Sequence, residues 1–488
     1  MDTDVIVVGA GPTGLMLAGE LRLGGARVVL VERLAEPTGQ SRGLGFTARA
    51  METLDQRGLL PRFGELETSP RGHFGGVQFD YSVLPDAHFG ARGVPQSQTE
   101  DVLEKWATET GVDIRRGWEL RELTDDGSGV TIVADTPDGT RQLRAAYLVG
   151  CDGGQSTVRK LVGFEFEGTP ATRGMYLADV VGCALRPRFL GEKLANGMVM
   201  AAPLAEGVDR IIVCEHGTPP TERERQVSFE EVAAAWERIT GESISHGGSL
   251  WVSSFTDATR QATEYRRGRV LLAGDAAHIH LPAAGQGLSV GVQDAANLGW
   301  KLAAVVRGHA PEGLLDTYHD ERHPVGARLL LNTRVQNAVF LGGEEAEPLR
   351  TLFTELISYD TVGRHLAGMV SGLEVRYDVG AGDHPLLGRR LPPRALHGAA
   401  GATTTTELLH PATGVLLDLT DDAGLRAVAA GYGDRVAVTV ATSDAAEFAG
   451  VPALLVRPDG YVAWVGAEPD GLAAALRRWF GEPAPAGQ

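Results

Sequence analysis

Residues 4–33, DVIVVGAGPTGLMLAGELRLGGARVVLVER, decide the fold. Asp4 to Val8 is a compact run of β-branched residues, the pattern of a strand covered on both faces. A glycine loop follows, and then Leu15, Ala18 and Leu21 recur at helical spacing, with Pro12 suited to the helix start and Gly24-Gly25 to its end. Arg27 to Val31 is a second apolar run, closed by Glu32. The segment reads as a βαβ unit within a parallel sheet. Its Gly9-Ala10-Gly11-Pro12-Thr13-Gly14 loop is G-x-G-x-x-G in the right context. Gly9 permits the tight turn, Gly11 lets the backbone approach a pyrophosphate, and Gly14 allows close packing of helix on strand. The helix N-terminus then presents unpaired N–H groups to a diphosphate. Glu32 is placed to accept the hydroxyls of an adenosine ribose. The motif predicts a bound dinucleotide without separating NAD from FAD, and a carboxylate at this position disfavours NADP here.

Working outward, a helix is expected from Ala48 to about Arg57. Another is expected to begin at Ser97-Gln98-Thr99-Glu100, read as a capping box, with the turn-rich stretch Thr68 to Pro95 between them. From Val112 to Ala146 short alternating runs broken by Asp126-Gly127 and Asp138-Gly139 suggest an antiparallel meander, and Tyr147 to Val149 a return to the buried sheet. Residues 170 to 265 alternate β-like runs with one helix near Phe229 to Thr240, the signature of a mostly antiparallel second layer. Arg269 to Ala273 is another buried strand, Leu288 to Val306 a long helix, and helical character continues to about Ser371. The stretch Gly382 to Pro393 reads as a linker. Beyond it strands at 414–418, 436–441, 453–457 and 462–464 and a helix at 472–480 mark a third unit, and the tail EPAPAGQ is expected to be mobile.

Composition narrows the function. The chain has 488 residues, 43% hydrophobic and 22% charged, with no long apolar run, which indicates several folded domains and no membrane span. Lys and Arg number 45 against 63 Asp and Glu, and a net charge of -18 argues against a nonspecific nucleic-acid binder. The three cysteines, Cys151, Cys183 and Cys214, form no C-x-x-C pair and no metal-ligand spacing; an odd count suits a reducing compartment. The N-terminus lacks a basic signal region, so cytoplasmic residence is expected.

Two further motifs choose the cofactor. Cys151-Asp152-Gly153-Gly154 follows one apolar strand, and Gly274-Asp275-Ala276-Ala277-His278 follows another, with Pro282 to Gly287 leading into a long helix. An aspartate at the carboxyl end of a buried strand, beside glycine, is placed to hydrogen-bond a ribityl hydroxyl. These motifs, with SRGLGFTARAMETLDQRG from Ser41, CDGGQSTVRK from Cys151 and GDAAHIHLPAAGQGLSVGVQDAANLGWKL from Gly274, give a chain that resembles the FAD-dependent aromatic hydroxylases of the p-hydroxybenzoate hydroxylase type. Within that family it is most similar to the hydroxylases of angucycline- and anthracycline-type aromatic polyketides. The resemblance covers essentially the whole chain.

The resemblance implies an α/β protein of three parts. A Rossmann-like FAD-binding domain would comprise 1–72, 96–170 and 266–385. A substrate-binding α+β domain with a mostly antiparallel sheet would comprise 73–95 and 171–265. A thioredoxin-like domain would span 395–482, and since it has no cysteine it is excluded from thiol exchange; packing and association are its expected roles. FAD would be bound non-covalently. Asp275 would hold the ribityl chain and Gly274 let the flavin pass. Pro282, Gly285, Gln286 and Gly287 would line the isoalloxazine, with the helix from Leu288 aimed at the end that becomes negative on reduction. Arg33 and Arg42 fall where the family contacts the adenosine or diphosphate, Gln98 where it contacts the ribityl or diphosphate region, and Asp152 in the second motif. Ala284 and Ser289 depart from the family's Gly-Gly-Gln-Gly-x-Asn pattern.

NADPH or NADH would dock transiently, since there is no second dinucleotide loop. Reduced flavin would add dioxygen to give a C4a-hydroperoxide that attacks an electron-rich phenol, so the protein's task is to exclude water and present the ring. No side-chain base is assigned. His278, His280, Tyr81, Arg266, Trp251 and Phe255 are pocket candidates for which ordinary core positions are the stronger expectation. Baeyer–Villiger insertion or epoxidation on the same scaffold, and a non-catalytic flavin-binding partner protein, stay open, as does homo-oligomerisation.

Overall fold

The computed structural model describes residues 1–220, 225–282, 285–399 and 401–484. Its centre is a sheet in which Val270–Leu272, Gly139–Gly150, Thr3–Val8, Val28–Glu32 and Asp113–Arg116 run parallel, in that order. Val5, Ile6, Val7, Leu30, Val31, Leu148 and Val149 are fully or almost fully buried, as both-face coverage requires. The helices Pro12–Leu23 and Gln286–Val306 pack together on one face. Gly19 meets Trp106 and Gly299 meets Glu20 at distances where a Cβ would clash, so the glycines set how closely these elements approach.

Asp113–Arg116 pairs parallel with Val28–Glu32 and so belongs to the central sheet, while the antiparallel meander is confined to Glu119–Asp125, Val130–Thr136 and Gly139–Gly150. The Asp126-Gly127 and Asp138-Gly139 turns fall between these strands as expected. The helix expected at Ser97 begins at Gln96, after Pro95, and no side chain caps it. Ser97 is instead engaged with Ser41, its Oγ 3.0 Å from Ser41 Oγ and its N–H donating to the same atom, so the capping-box reading is wrong.

A second, five-stranded sheet takes the order Arg188–Leu194, Gly197–Ala205, Val208–Glu215, Gly174–Val181, Gly248–Thr256, antiparallel throughout. The helix Phe229–Thr240 covers one face, and its Ser228/Glu231 capping box is formed. The hairpin of Arg71–Phe74 and Val77–Asp80 stands apart from this sheet, packed on the helix Asp360–Ser371 through Phe74, Phe79, Leu366 and Val370. Ala91–Pro95 pairs with Leu44–Gly45 and Glu67–Thr68, so residues 73–95 add no strand to the five-stranded sheet.

The C-terminal sheet is mixed. Gly414–Asp418 runs parallel to Val436–Thr442 and antiparallel to Ala453–Val456, which continues into Val462–Gly466, the thioredoxin-like arrangement. A hairpin at Ala395–Gly398 and Gly401–Thr404 extends one edge and was not expected. The expected linker is also more than a tether: Leu387 and Leu391 are buried, and Arg390 pairs with the buried carboxylate of Glu52. Pro485–Gln488, most of the tail expected to be mobile, lie outside the described residues.

Buried ions join this unit to the first. Arg457 donates to both oxygens of Glu321, which also accepts from Lys301 Nζ at 2.8 Å, and all three side chains are at most 5% exposed. Burial alone would raise the Glu321 carboxyl, but Arg457 and Lys301 outweigh it and hold it at about 2. With a folded value below the ordinary 4.5, this carboxylate contributes stability above pH 4.5 that is lost as pH falls toward 2. A shift of that size corresponds to about 3 kcal/mol. Thermal unfolding measured from pH 5 to pH 2 should therefore show a steep acid limb that flattens in Glu321→Gln; an unchanged limb would refute the assignment.

Candidate active site

The three glycine motifs meet. A Cβ on Gly9, where φ is +107°, would lie 2.5 Å from the Cys151 carbonyl oxygen; one on Gly14 would strike the Gly9 carbonyl; one on Gly274 would lie 2.6 Å from Thr13 Oγ1. The first loop, the Cys151-Asp152-Gly153 turn and the Gly274-Asp275 turn are thus in van der Waals contact at the carboxyl ends of adjacent parallel strands. Arg159 ties the second to the third, donating to the Gly154 carbonyl at 2.7 Å and the Ala276 carbonyl at 2.8 Å.

The surface they form is open where a ligand is expected. Gly11, Gly153 and Gly285 have nothing within 4 Å of a built Cβ. The helix starting at Pro12 has no side-chain cap, and neither does the one starting at Gln286, whose N-cap Gly285 is left-handed at φ 66°. Two helix N-termini without side-chain caps therefore lie beside the same turns, the second touching Thr13 through Gly291. Glu32 stands at its strand end with Oε2 accepting from Ala10 N–H at 2.8 Å and Oε1 from Leu34 N–H at 2.9 Å, which fixes the carboxylate beside the first loop. Asp275 is exposed and faces His280 electrostatically, with no side-chain hydrogen bond among the described residues. Arg33 and Arg42 are exposed on the rim, and Pro282 and Leu288 flank the turn. This arrangement suits a dinucleotide: a glycine cradle for the diphosphate, a carboxylate for the ribose, and a free carboxylate at the next strand end for a polyol.

Two expected contact residues have partners of their own. Asp152 is engaged within its own turn. It accepts from Ser156 Oγ, from Thr157 N–H and from Val158 N–H at 3.0 Å, and so caps the helix Thr157–Val162. Gln98 donates to the Phe63 carbonyl at 3.2 Å, and it lies two residues, and therefore about 200° of helical rotation, from Gln96. Gln96 is the one that reaches inward, its Oε1 accepting from Gly43 N–H at 3.3 Å, close to where Gly43 meets Leu288. The side-chain sequence gave no means of choosing between two glutamines without the helix phase. Ser289 accepts from Thr47 N–H at 2.9 Å and ties the Phe46–Thr47 strand end to the long helix. Ala284 lies outside the described residues.

Beside these turns packs the second face of the five-stranded sheet. Strand alternation sends Ala178, Val180, Val199, Ala201, Ile211 and Val213 toward the helix Phe229–Thr240. It sends Met175, Met198 and Cys214 the other way, where they are buried with Leu281 and Leu341 and bordered by Met200, Phe255 and Phe340. Leu281 directly precedes Pro282, so this apolar, sulfur-rich face closes on the glycine-rich turn. Phe255 thereby borders this apolar cluster. Trp251 shares its strand face four residues away, roughly 13 Å, and its indole N–H donates to Asp179 at 2.6 Å while Arg210 grips the same carboxylate at 2.7 and 2.8 Å.

Of the remaining candidates three are held by structural contacts, and His280 lies at the glycine turn itself. His278 is fully buried against Asp294, its Nε2 2.8 Å from Oδ2. Arg266 pairs with Asp316 at the edge of the central sheet. Tyr81 packs edge-on against Phe79, and burial pushes its phenol up to about 12, too weak an acid to act as a base near neutrality. His280 has Nδ1 2.6 Å from the Leu281 carbonyl oxygen and its Nε2 beside Gly287, and burial lowers its basicity. Among the described residues no cluster has the makings of a metal site, and no helix is long and apolar enough to cross a membrane.

A glycine-built dinucleotide cradle, with the apolar face of a separate sheet packed beside it, defines the class: a flavoprotein. Comparison with known proteins makes it specific. Residues 2–333 match the FAD binding domain family and residues 384–483 the aromatic-ring hydroxylase C-terminal family. The chain is 45% identical to the 12-dehydrotetracycline 5-monooxygenase/anhydrotetracycline 6-monooxygenase of Streptomyces rimosus, covering 99% of this chain and 100% of that protein. The crystal structure of CabE, an aromatic hydroxylase from angucycline biosynthesis, superposes with a TM-score of 0.97 at 60% identity, over 99% of this chain and 100% of that one. The dialkyldecalin synthase of Streptomyces rugosporus is 39% identical over 99% of this chain and 100% of that protein. The chain belongs to the family of FAD-dependent aromatic-ring hydroxylases, and it is a monooxygenase of that family.

Proposed function

We propose that the protein consumes NAD(P)H and dioxygen to hydroxylate a polycyclic aromatic polyketide of the angucycline type. One observation carries this reading: the sheet face bearing Met175, Met198, Cys214 and Phe255 closes on Leu281, beside the flavin turn, and offers an apolar wall of the kind a planar, multi-ring substrate buries against. Bound FAD supplies the reductive activation of dioxygen. The chain's own residues do the rest. Gly9, Gly11, Pro12, Thr13 and Gly14 would seat the diphosphate, Glu32 the adenosine ribose, and Asp275 the ribityl chain. Pro282, Gly285, Gln286, Gly287 and Leu288 would flank the ring system, with the helix dipole at Gln286 favouring negative charge there. Arg33 and Arg42 would lie on the adenosine side. The soft, sulfur-bearing wall excludes water and adapts to a large aromatic. No side-chain base is assigned.

The test is incubation of the purified protein with an angucyclinone panel, NADPH or NADH, and labelled dioxygen. Faster NAD(P)H oxidation on adding substrate, with one labelled oxygen in the product, supports the reading, and the product's structure separates ring hydroxylation from insertion beside a ketone or epoxidation. A rearranged product with no added oxygen, or no substrate-dependent oxidation across the panel, would overturn it.

A further inference from the structure

The turn Arg457-Pro458-Asp459-Gly460, between strands Ala453–Val456 and Val462–Gly466 of the C-terminal unit, is inserted into the FAD-binding part of the molecule. Arg457 is 0% and Asp459 2% exposed, and a Cβ on Gly460 would lie 2.5 Å from Gln56 Nε2. Every polar group of the turn that faces the first unit is used. The Arg457 guanidinium donates to Glu321, the Asp459 carboxylate accepts from Asn297 at 3.2 Å, and the Pro458 and Asp459 carbonyls accept from Arg57 and Arg49 at 2.8 and 2.9 Å.

These partners lead to the flavin cradle. Asn297 and Lys301 lie on the helix Gln286–Val306, and Asn297 is one turn from Asp294. Asp294 accepts from Gly274 N–H at 3.1 Å, at the flavin turn itself, and from Arg322 Nε at 2.7 Å. Arg322 follows Glu321 in sequence, so the helix Thr317–Leu341 holds the turn with one residue and the cradle with the next. Lys301 bridges the remainder, donating to Asn297 and Glu321 at 2.9 and 2.8 Å. Removing Arg457 leaves the buried Glu321 with Lys301 as its one cation, and that pair lies on the two helices whose relative position sets Asp294 against Gly274.

We propose that the C-terminal unit is a clamp on the flavin cradle, its Arg457–Gly460 turn holding the Gln286–Val306 helix, and through Asp294 the Gly274-Asp275 turn, in the geometry that retains FAD. Arg457 and Asp459 are positioning residues; the proposal rests on the reading of Gly274-Asp275 as a flavin turn. It gives the cysteine-free thioredoxin-like unit a task other than thiol chemistry.

The experiment uses the full chain. Arg457→Gln and the milder Asp459→Asn are prepared as apoprotein and titrated with FAD, recording affinity and the visible absorption and circular dichroism of the bound flavin. Both should bind FAD roughly tenfold more weakly and shift its visible spectrum, and Arg457→Lys should recover part of the loss. Arg426→Gln breaks a pair with Asp418 inside the same unit, away from the turn, and should leave FAD binding unchanged. Wild-type affinity and spectrum in Arg457→Gln or Asp459→Asn would overturn the clamp, whatever their thermal stability. So would an equal loss in Arg426→Gln, which would mark general destabilisation. Failure of the wild-type apoprotein to take up FAD would instead sink the flavin reading.

Discussion

Gly11→Val should yield a folded protein that purifies colourless and binds FAD at least about a hundredfold more weakly, about 2.7 kcal/mol in binding free energy. The argument is one of space. At Gly11 φ is -76° and ψ 177°, an extended conformation open to any residue, and nothing in the chain comes within 4 Å of a Cβ there. The isopropyl group would therefore meet no protein atom near its root, and what it would occupy is the space over the uncapped helix N-terminus where the diphosphate must approach its N–H donors. Its neighbours behave differently. Gly14→Val would drive a Cβ to 1.9 Å from the Gly9 carbonyl oxygen, and Gly9→Val would force a β-branched residue to φ +107° against the Cys151 carbonyl, so both should lose fold and flavin together. Thermal unfolding of the apoprotein and visible absorbance of the purified protein separate the two outcomes. Full flavin content in Gly11→Val would remove the basis for placing the diphosphate at this loop.

The contrast between Gly11 and Gly14 also shows what could be read from sequence. The strand–glycine–helix–strand pattern with Glu32 was local, carried by hydrophobic period and by the glycines a tight turn needs, and the structure has each element within a residue or two. The helix Phe229–Thr240 was legible for the same reason, being strongly amphipathic with its cap in sequence. What failed was long-range or a matter of competing partners. Asp152 was read as ligand-facing because its position at a strand end matches that of Asp275, yet Ser156, four residues on, draws it into a cap, whereas Asp275 has no local donor to satisfy it. Gln98 and Gln96 differ by helix phase, and the apparent capping box put the N-cap at Ser97, two residues beyond Pro95, where it lies. The linker reading of Gly382 to Pro393 followed from proline and glycine content, which says nothing of Arg390 reaching Glu52 across 338 positions. The interlocking of the C-terminal unit was invisible for the same reason: Arg457 and Glu321 are 136 positions apart, and pairs at such separation have no local signature.

Asp294→Ala should be strongly destabilising although it only removes atoms. The carboxylate is fully buried, and it answers three groups at once: the Arg322 guanidinium, His278 and the Gly274 N–H. Truncation leaves a fully buried guanidinium whose other partners, the Tyr377 hydroxyl and the Val290 carbonyl, are neutral. An uncompensated buried charge of this kind costs about 3–5 kcal/mol, as against the near-zero net value of many exposed pairs. For a chain of 488 residues that is a fall of about 3–5 °C in Tm. Asp294→Asn discriminates between the two roles of the side chain, since an amide oxygen can still accept from Gly274 N–H while the charge facing Arg322 is gone. It should keep more FAD than the alanine variant and still lose stability. It should also change the acid response. Burial would raise the Asp294 carboxyl, but Arg322 and His278 outweigh it and hold it below the ordinary 3.8. The wild-type protein thus loses this contribution as pH falls from that value through the lower folded one, and the asparagine variant has none of it to lose. Equal Tm in wild type and Asp294→Ala, measured as apoprotein, would show that Arg322 finds another counter-charge, and that the Gly274 turn is held by its backbone packing on Thr13 and the long helix alone.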